Sequence, residues 1–475
     1  NGQAIKGTQD VALMKYDSAG NLVYTRTLGA ADSASGMSMA LSADGKIAIA
    51  GAATGAIDSG VTGADAAKSD SFVTVFDNQG QELWTARRGA RENDQATAVA
   101  FGADGTVYVA GQASSNMPGA TAVGGQDGYL EAFSWNGLSA DKSKVTPVFT
   151  TQFGSTGNDK VSGIAVNGSS LVVAGTDGPD AVVRQFTLNG AGAPTLTATR
   201  DLGDLQGGGV TGVGFDANGQ VIVAGTAHNG ALAAGTVKAP SSGGSEAFVA
   251  RLDAGLAPSS GDTISYFGGS GEDTATGMAI QGTDVWLTGQ VGSDLSGTSA
   301  VGSKDGYIAR LDPATGTVEY VRRFSATAGQ TVPTSIAVDA SGSSALDRLG
   351  LPKGTIAYKD SQLLTAQTSL RAGDQFQIRS REGGPLSTVT IAANDTMDTL
   401  AQKVNRAAGF QATVTVVTLK GYRQLSIKPI NNRATIEILP GPKGKDALEA
   451  LGLQTGVAQS VTGDKSQDDK TIYGL

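Results

Sequence analysis

Lys46-Ile-Ala-Ile-Ala-Gly51 is a short apolar run closed by a glycine, and it returns with small changes along the first two-thirds of the chain. Its copies are Thr106-Val-Tyr-Val-Ala-Gly111, Leu171-Val-Val-Ala-Gly175, Gln220-Val-Ile-Val-Ala-Gly225 and Val285-Trp-Leu-Thr-Gly289. The closing glycines stand 50 to 64 residues apart, which leaves room for four short strands in each unit.

Working outward, each unit carries three further pieces. One is an acid-led strand, opened by Asp10, Asp70, Asp127, Asp180, Glu246 or Asp305. The next is a partner strand such as Leu22–Leu28 or Glu82–Arg88, reached through turns such as Asp17–Asn21 and Asp77–Gly80. Gly, Asn and Asp suit those turns because they tolerate left-handed backbone. The third is a strand of small residues: 37–41, 96–101, 161–166, 210–215, 275–280 and 335–338. Several strands are apolar on both faces, as sheets covered on both sides must be. No single sheet of this size buries two faces, so the pattern predicts a closed ring of sheets, a β-propeller. Six blades are favoured and seven are possible. The first two strands would share a blade with 335–338, and Gly354-Thr-Ile-Ala-Tyr358 or upstream residues would supply its missing strand.

The repeat ends near Gly342, and a small α+β domain is expected over 343–460. Gln375–Arg379 and Leu386–Ile391 read as strands, and Asn394 or Asp395 as the cap of a helix carrying Met397, Leu400, Ala401, Val404 and Ala408 on one face. A hairpin around Lys420-Gly421, a strand at Ala434–Leu439 and a short helix at Asp446–Leu451 complete it. The element Ala-Leu-acid-x-Leu-Gly-Leu-x-x-Gly occurs both in Ser344–Gly354 and in Asp446–Gly456, which suggests modules in series. Residues 461–475 read as a polar tail or linker, so the expected division is 1–342, 343–460 and 461–475.

Composition narrows the function. There are 68 glycines in 475 residues, about twice ordinary usage, in keeping with many tight turns. A net charge of −9 disfavours binding to phosphate backbones, so no nucleic-acid partner is expected. No apolar run is long enough for a helical membrane span. With no cysteine and one histidine, disulfides, thiolate sites and ordinary transition-metal sites are not expected. The chain begins at Asn1, inside a repeat, and is expected to be a processed or truncated product.

Each chemical candidate has a structural rival. His228 lies in the loop Thr226–Gly230 and reads as a solvent-facing residue, because a triad needs partners around it. The six acids of the acid-led strands, and Asp94, Asp159 and Asp273 in Gly-x-x-x-x-Asp loops, offer oxygen ligands for calcium. They read more simply as turn caps accepting backbone N–H groups. Gly269-Ser-Gly271 and Gly207–Gly209 lack the lysine and helix of a phosphate cradle. The stretch Asp77–Trp84 resembles the tryptophan-docking strand of quinone-dependent dehydrogenases. Tyr24, Phe149, Tyr266 and Tyr320 stand near that place elsewhere, so the aromatics read as packing between blades. No catalytic, cofactor-binding or metal-binding residue is therefore assigned, and no cofactor is expected.

Glu246–Asp253, Phe267–Asp273 and Ile336–Asp339 resemble the bacterial propeller repeat abbreviated SBBP. The second domain resembles the IN motif of flagellar hook-associated and filament-cap proteins, at Leu370–Phe376, Asn394–Asn405 and Leu448–Leu453. The two modules together resemble an alphaproteobacterial flagellar regulatory family. This resemblance implies a non-enzymatic, extracellular, flagellum-associated structural or interaction protein whose partners are flagellar or filament subunits, or further copies of itself. The long terminal heptad helices of flagellar axial proteins have no counterpart in this chain. A secreted adhesin-like propeller recognising glycan or protein is the alternative, and a propeller lyase or hydrolase a third. The longest loops, Gly55–Ser69, Ser114–Gln126, Gly230–Ser245 and Val291–Lys304, all follow the glycine-closed strand, so they should share one face.

Overall fold

The computed structural model describes residues 6–17, 20–55, 67–134, 145–190, 192–295, 299–325, 329–338, 362–368, 370–381, 383–419, 422–431, 434–442, 445–448, 450–459 and 472–474. A hairpin comes first, β1 (Val11–Tyr16) with β2 (Leu22–Leu28). Four antiparallel meanders follow in chain order. They are β3 (Ser33–Leu41), β4 (Ile47–Thr54), β5 (Asp70–Phe76) and β6 (Glu82–Arg88); then β7 (Asp94–Phe101), β8 (Val107–Ala113), β9 (Asp127–Phe133) and β10 (Phe149–Phe153). Next are β11 (Asp159–Asn167), β12 (Ser170–Asp177), β13 (Asp180–Asn189) and β14 (Gly192–Asp204). The fourth holds β15 (Gly209–Phe215), β16 (Val221–Ala227), β18 (Glu246–Leu252) and β19 (Thr263–Phe267), with the short β17 (Thr236–Ala239) added in parallel outside β19. A fifth meander comprises β20 (Thr274–Gln281), β21 (Asp284–Val291), β22 (Asp305–Asp312) and β23 (Thr317–Phe324).

The glycine-closed strands β4, β8, β12, β16 and β21 are second in their sheets, beside the small-residue strands. Each small-residue strand has its register broken at one place: at Met37, Thr97, Ser162, Thr211 and Thr276. There a carbonyl of the first strand swings onto the closing glycine of the second. A Cβ at Gly51, Gly111, Gly175, Gly225 or Gly289 would collide with the backbone oxygen of Ser35, Gln95, Lys160, Gly209 or Thr274. The bulge therefore explains the glycine that defines the repeat.

Sheets are joined seam by seam. The N–H groups of Ala34, Asp94, Asp159, Leu205, Asp273 and Thr331 donate to the carbonyls of Gln9, Ser69, Gln126, Pro179, Ser245 and Lys304, at 2.7 to 3.0 Å. Each acceptor immediately precedes the acidic residue of one unit, and each donor begins the next. First strands touch first strands from β3 to β7, β11, β15 and β20. Five apolar clusters each span one seam, among them Trp84 and Phe72 from one sheet family and Phe133, Phe248 and Tyr307 from later ones. Neighbouring sheets thus cover each other's faces, and the architecture is a mainly β propeller.

Residues 331–338 continue the series differently from expectation. They bond to the fifth meander, but no strand ladder forms over 335–338, only a single bridge at Val338. Gly354–Tyr358 and Ser344–Gly354 lie outside the described residues.

A separate apolar cluster is built wholly from residues 364–458. One sheet runs β25 (Leu386–Thr390), β24 (Gln375–Arg379), β28 (Thr435–Pro440), β29 (Gly456–Gln459), and another β26 (Ala412–Leu419), β27 (Tyr422–Pro429), β30 (Ile472–Gly474). Helix α1 is a single turn (Leu364–Gln367) and α2 spans Met397–Ala407. Three expectations need correcting. The cap of α2 is Thr396, whose side chain accepts from Thr399 N–H while the Thr399 hydroxyl accepts from the Thr396 N–H; Asp395 instead accepts from Ala392 N–H and binds Lys403. Where a helix was expected at Asp446–Leu451, the described residues 446–448, 450 and 451 form a turn, with Leu451 N–H donating to the Ala447 carbonyl. The end of the expected tail, Ile472–Gly474, pairs with β27.

Candidate functional site

The acid-led strands show what their acids do. Asp127 accepts from the N–H groups of Val123 and Gly124 at 2.6 and 2.9 Å, Asp305 from Val301 and Gly302 at 2.9 Å each, and Asp10 from Lys6 and Gly7 at 2.8 and 3.3 Å. Glu246, one methylene longer, accepts from Ser242 N–H. Each carboxylate ties down the end of the loop that precedes its strand. Asp70 and Asp305 also face arginines of the partner strand, Arg87 at 3.0 Å and Arg323 at 3.4 Å, with all four side chains nearly or wholly buried. Asp180 departs from the set: a two-residue turn replaces the loop, and its neighbours are Asp177, Asp201 and Asp204. Burial and those three acids push its carboxyl up.

The second set behaves alike. Asp94 accepts from Ala90 and Ser114, Asp159 from Ser155 N–H and its hydroxyl, and Asp273 from Gly269 and Gly292. Gly269 thus serves a carboxylate of its own chain. Burial outweighs these bonds at Asp94, whose pKa is pushed up to about 6, and it raises Asp273 as well. Among the described residues no three His, Asp or Glu side chains converge as metal ligands. His228 is half-exposed and its Nε2 lies 3.2 Å from Glu272, linking two neighbouring units. Gly208 lies tight against the Thr226 carbonyl. Trp84 is buried with its ring centroid 5.7 Å from that of Phe133, Phe153 stands 5.5 Å from Phe186, and Phe267 5.0 Å from Tyr307, so aromatic side chains pack across seams.

Every loop between the second and third strands ends at the same seam hydrogen bond, so these loops gather at one end of the sheets. Gly125 N–H donates to Gly157, Ser242 Oγ to the Gly269 carbonyl and Ser303 N–H to Gly329, each reaching the next unit at that end. Residues 56–66 and 296–298 of two of the loops are outside the described set. The loop 230–245 is not wholly irregular, since it contains β17.

One site matches no motif read from the sequence. The small domain rests on β2, with Thr365 Oγ1 donating to the Val23 carbonyl at 3.3 Å, and a cavity of about 460 Å³ lies between them. Lys15, Tyr24 and Arg26 line it from the propeller, and Arg371 and Thr365 from the small domain. Arg26 is 5% exposed and stands where β6 places the buried Ala86. A cation breaking a repeat at a core position was the available hint.

These features define a class: a β-propeller whose loops gather at one end, followed by a small α+β unit. Across 505 aligned residues the chain is 44% identical to "Regulatory protein FlaEY" of Caulobacter vibrioides, covering 99% of this chain and 52% of that protein. The chain therefore spans about half the length of the curated relative it matches. No protein-family model matches it. Similar solved structures include the Dos1 propeller (8% identity, TM-score 0.37, 93% of this chain and 92% of that one) and the β-propeller domain of the Trilobed protease from Pyrococcus furiosus (7%, 0.33, 86% and 93%).

Proposed function

We propose that this chain is a non-enzymatic, flagellum-associated interaction protein that works outside the cell. The similarity to a regulatory protein along 99% of the chain carries the reading. The likeness of Leu370–Phe376, Asn394–Asn405 and Leu448–Leu453 to the hook-associated motif directs it to the flagellum. In this reading the small domain attaches to hook or filament subunits and the loop-bearing end of the propeller contacts a further subunit. Loops differ from unit to unit while strands do not, so recognition belongs to the loops. Most of the repeat carboxylates, Asp10, Asp94, Asp127, Asp159, Glu246, Asp273 and Asp305, accept backbone N–H groups, which suits display better than acid–base chemistry.

The same reading gives the ring six blades. Thr334 follows Pro333 as Thr97 follows Ala96, and Ile336 and Val338 fall at the places of Val99 and Phe101. Residues 331–338 then form the inner strand of the blade that holds β1 and β2.

Mass spectrometry of flagella purified from the source cells tests the assignment. Recovery of this polypeptide with hook or filament subunits supports it. Recovery only from the cytoplasm overturns it.

A further inference from the structure

The cavity between β2 and the small domain gathers Lys15, Arg26 and Arg371, with Asp17 as the acid in its lining. The Arg26 guanidinium lies over the Tyr24 ring, 4.8 Å from its centroid, and its hydrogen bonds go to backbone carbonyls: Nε to Gly80 at 2.9 Å, Nη1 to Thr25 at 2.8 Å and Nη2 to Gln79 at 3.3 Å. Lys15 Nζ donates to the Asn78 carbonyl at 2.6 Å. Neither Arg26 nor Arg371 makes an ion pair among the described residues, though both line the same space. Burial first, and then the charge of Arg371, push the Arg26 pKa down to about 10. Asp77 and Asp374 stand near and offset part of that charge, but the hydrogen bonds described for Asp17, Asp77 and Asp374 come from Asn21, from Gln79 and Gln81 N–H and from Arg371 N–H, not from a guanidinium. Like charges facing one another at a half-dry seam repel more strongly than in water.

A second observation points to a ligand. Tyr24, 3% exposed, also lines the cavity, and its hydroxyl has no hydrogen-bond partner. A buried hydroxyl left unpaired costs free energy that a ligand oxygen would return. Carboxamides of Asn21, Gln79 and Gln81 add groups that read hydroxyls, opposite the apolar Leu363 and Ala393.

We propose that this cleft binds a small hydroxylated organic carboxylate, of sugar-acid size, whose carboxylate lies between Arg26 and Arg371. A guanidinium pair suits the planar, two-oxygen acceptor. The cleft is too small for a long polyanion, and the net charge of −9 repels one.

Isothermal titration of the whole chain with glucuronate, glucose and inorganic phosphate tests the site, beside the Arg371→Gln variant. Glucuronate should bind with a dissociation constant near or below about 1 mM, glucose should not, and Arg371→Gln should weaken glucuronate by about tenfold or more. The unliganded variant should melt no lower than the parent, because a repelling charge has gone. The proposal is overturned if glucuronate gives no binding, if glucose binds equally, if phosphate alone binds, or if Arg371→Gln binds glucuronate as the parent does. A variant that melts lower without ligand would mean that Arg371 serves the fold instead.

Discussion

The Thr97 hydroxyl donates to the Val161 carbonyl at 2.6 Å, across the seam between two sheets. Thr211 does the same to Ala275 at 2.8 Å, and Thr276 to Pro333 at 2.7 Å. In each case the threonine is the bulged residue of an inner strand. The extra residue turns a side chain away from its own sheet and aims it at the next. The bulge thus serves two purposes: it presses a carbonyl onto the closing glycine and reaches over the seam.

Replacing Thr97 with Val keeps the shape and removes the donor. The Val161 carbonyl then loses a partner at a partly buried place, so unfolding stability should fall by about 1 kcal/mol. Urea denaturation reads this, and Thr97→Ser should recover most of the loss. A Val variant as stable as the parent would show that this hydrogen bond contributes nothing.

Gly175→Ala should be far costlier. The new methyl group would meet the Lys160 carbonyl and the Val161 backbone, neither of which can rotate away. Overpacking of this kind costs roughly 1–3 kcal/mol, or more where only backbone can yield. Gly168→Ala provides a contrast, because nothing stands near its added methyl, although its φ of 59° carries its own smaller strain. Thermal melts should rank Gly175→Ala well below Gly168→Ala.

Asp94 should leave a signature in the pH dependence of stability. Its folded pKa, about 6, lies above the usual value of about 3.9 for an unfolded aspartate. The stabilising contribution of its proton is complete below the unfolded value and is lost as pH rises through 6. Asp94→Asn carries no such titration. The difference in unfolding free energy should therefore shift toward the variant by on the order of 2 kcal/mol between pH 4 and pH 7. Parallel stability curves for the two proteins would refute the raised pKa.

Ring closure can be trapped chemically. Met39 and Leu41 are 59% and 67% exposed, whereas Val99, Ile164 and Val213, at the place of Met39 in later sheets, are at most 9% exposed. Ser38 Oγ lies 3.3 Å from the Val99 nitrogen, and in the six-blade ring proposed above the corresponding pair across the closing seam is Ser335 and Met39. The chain has no cysteine, so Met39→Cys with Ser335→Cys gives an unambiguous probe. Mild oxidation should produce a monomer with an internal crosslink. Crosslinked dimers, or free thiols throughout, would refute the six-blade arrangement.

Much of the propeller was legible because its signals are local. The run ending in Gly111 marks β8 to within two residues, and the alternation of Asp, Asn and Gly marks the turns. Asp77, for example, accepts from Gln79 and Gln81 N–H around Gly80 at a φ of 75°. Asp180 misled because the repeat kept the acid after losing the loop that it would cap. The cap of α2 was misplaced by one or two residues because Asn394, Asp395 and Thr396 are all good caps, and only the reciprocal bonds with Thr399 select the last. Beyond the anomaly of Arg26 in the repeat, the cleft of Arg26 and Arg371 was not legible, since its two sides come from opposite ends of the sequence and meet only when the small domain settles on β2.

The short strand Thr236–Ala239 makes one sheet wider than its neighbours. It runs alongside Thr263–Ser265, covering an outer edge that would otherwise offer unpaired backbone to another chain. A near-regular rotor of similar vanes gives an approaching molecule no reason to prefer one azimuth. A single thickened vane supplies a landmark, and with it a means of fixing the rotational phase in which the rotor is held.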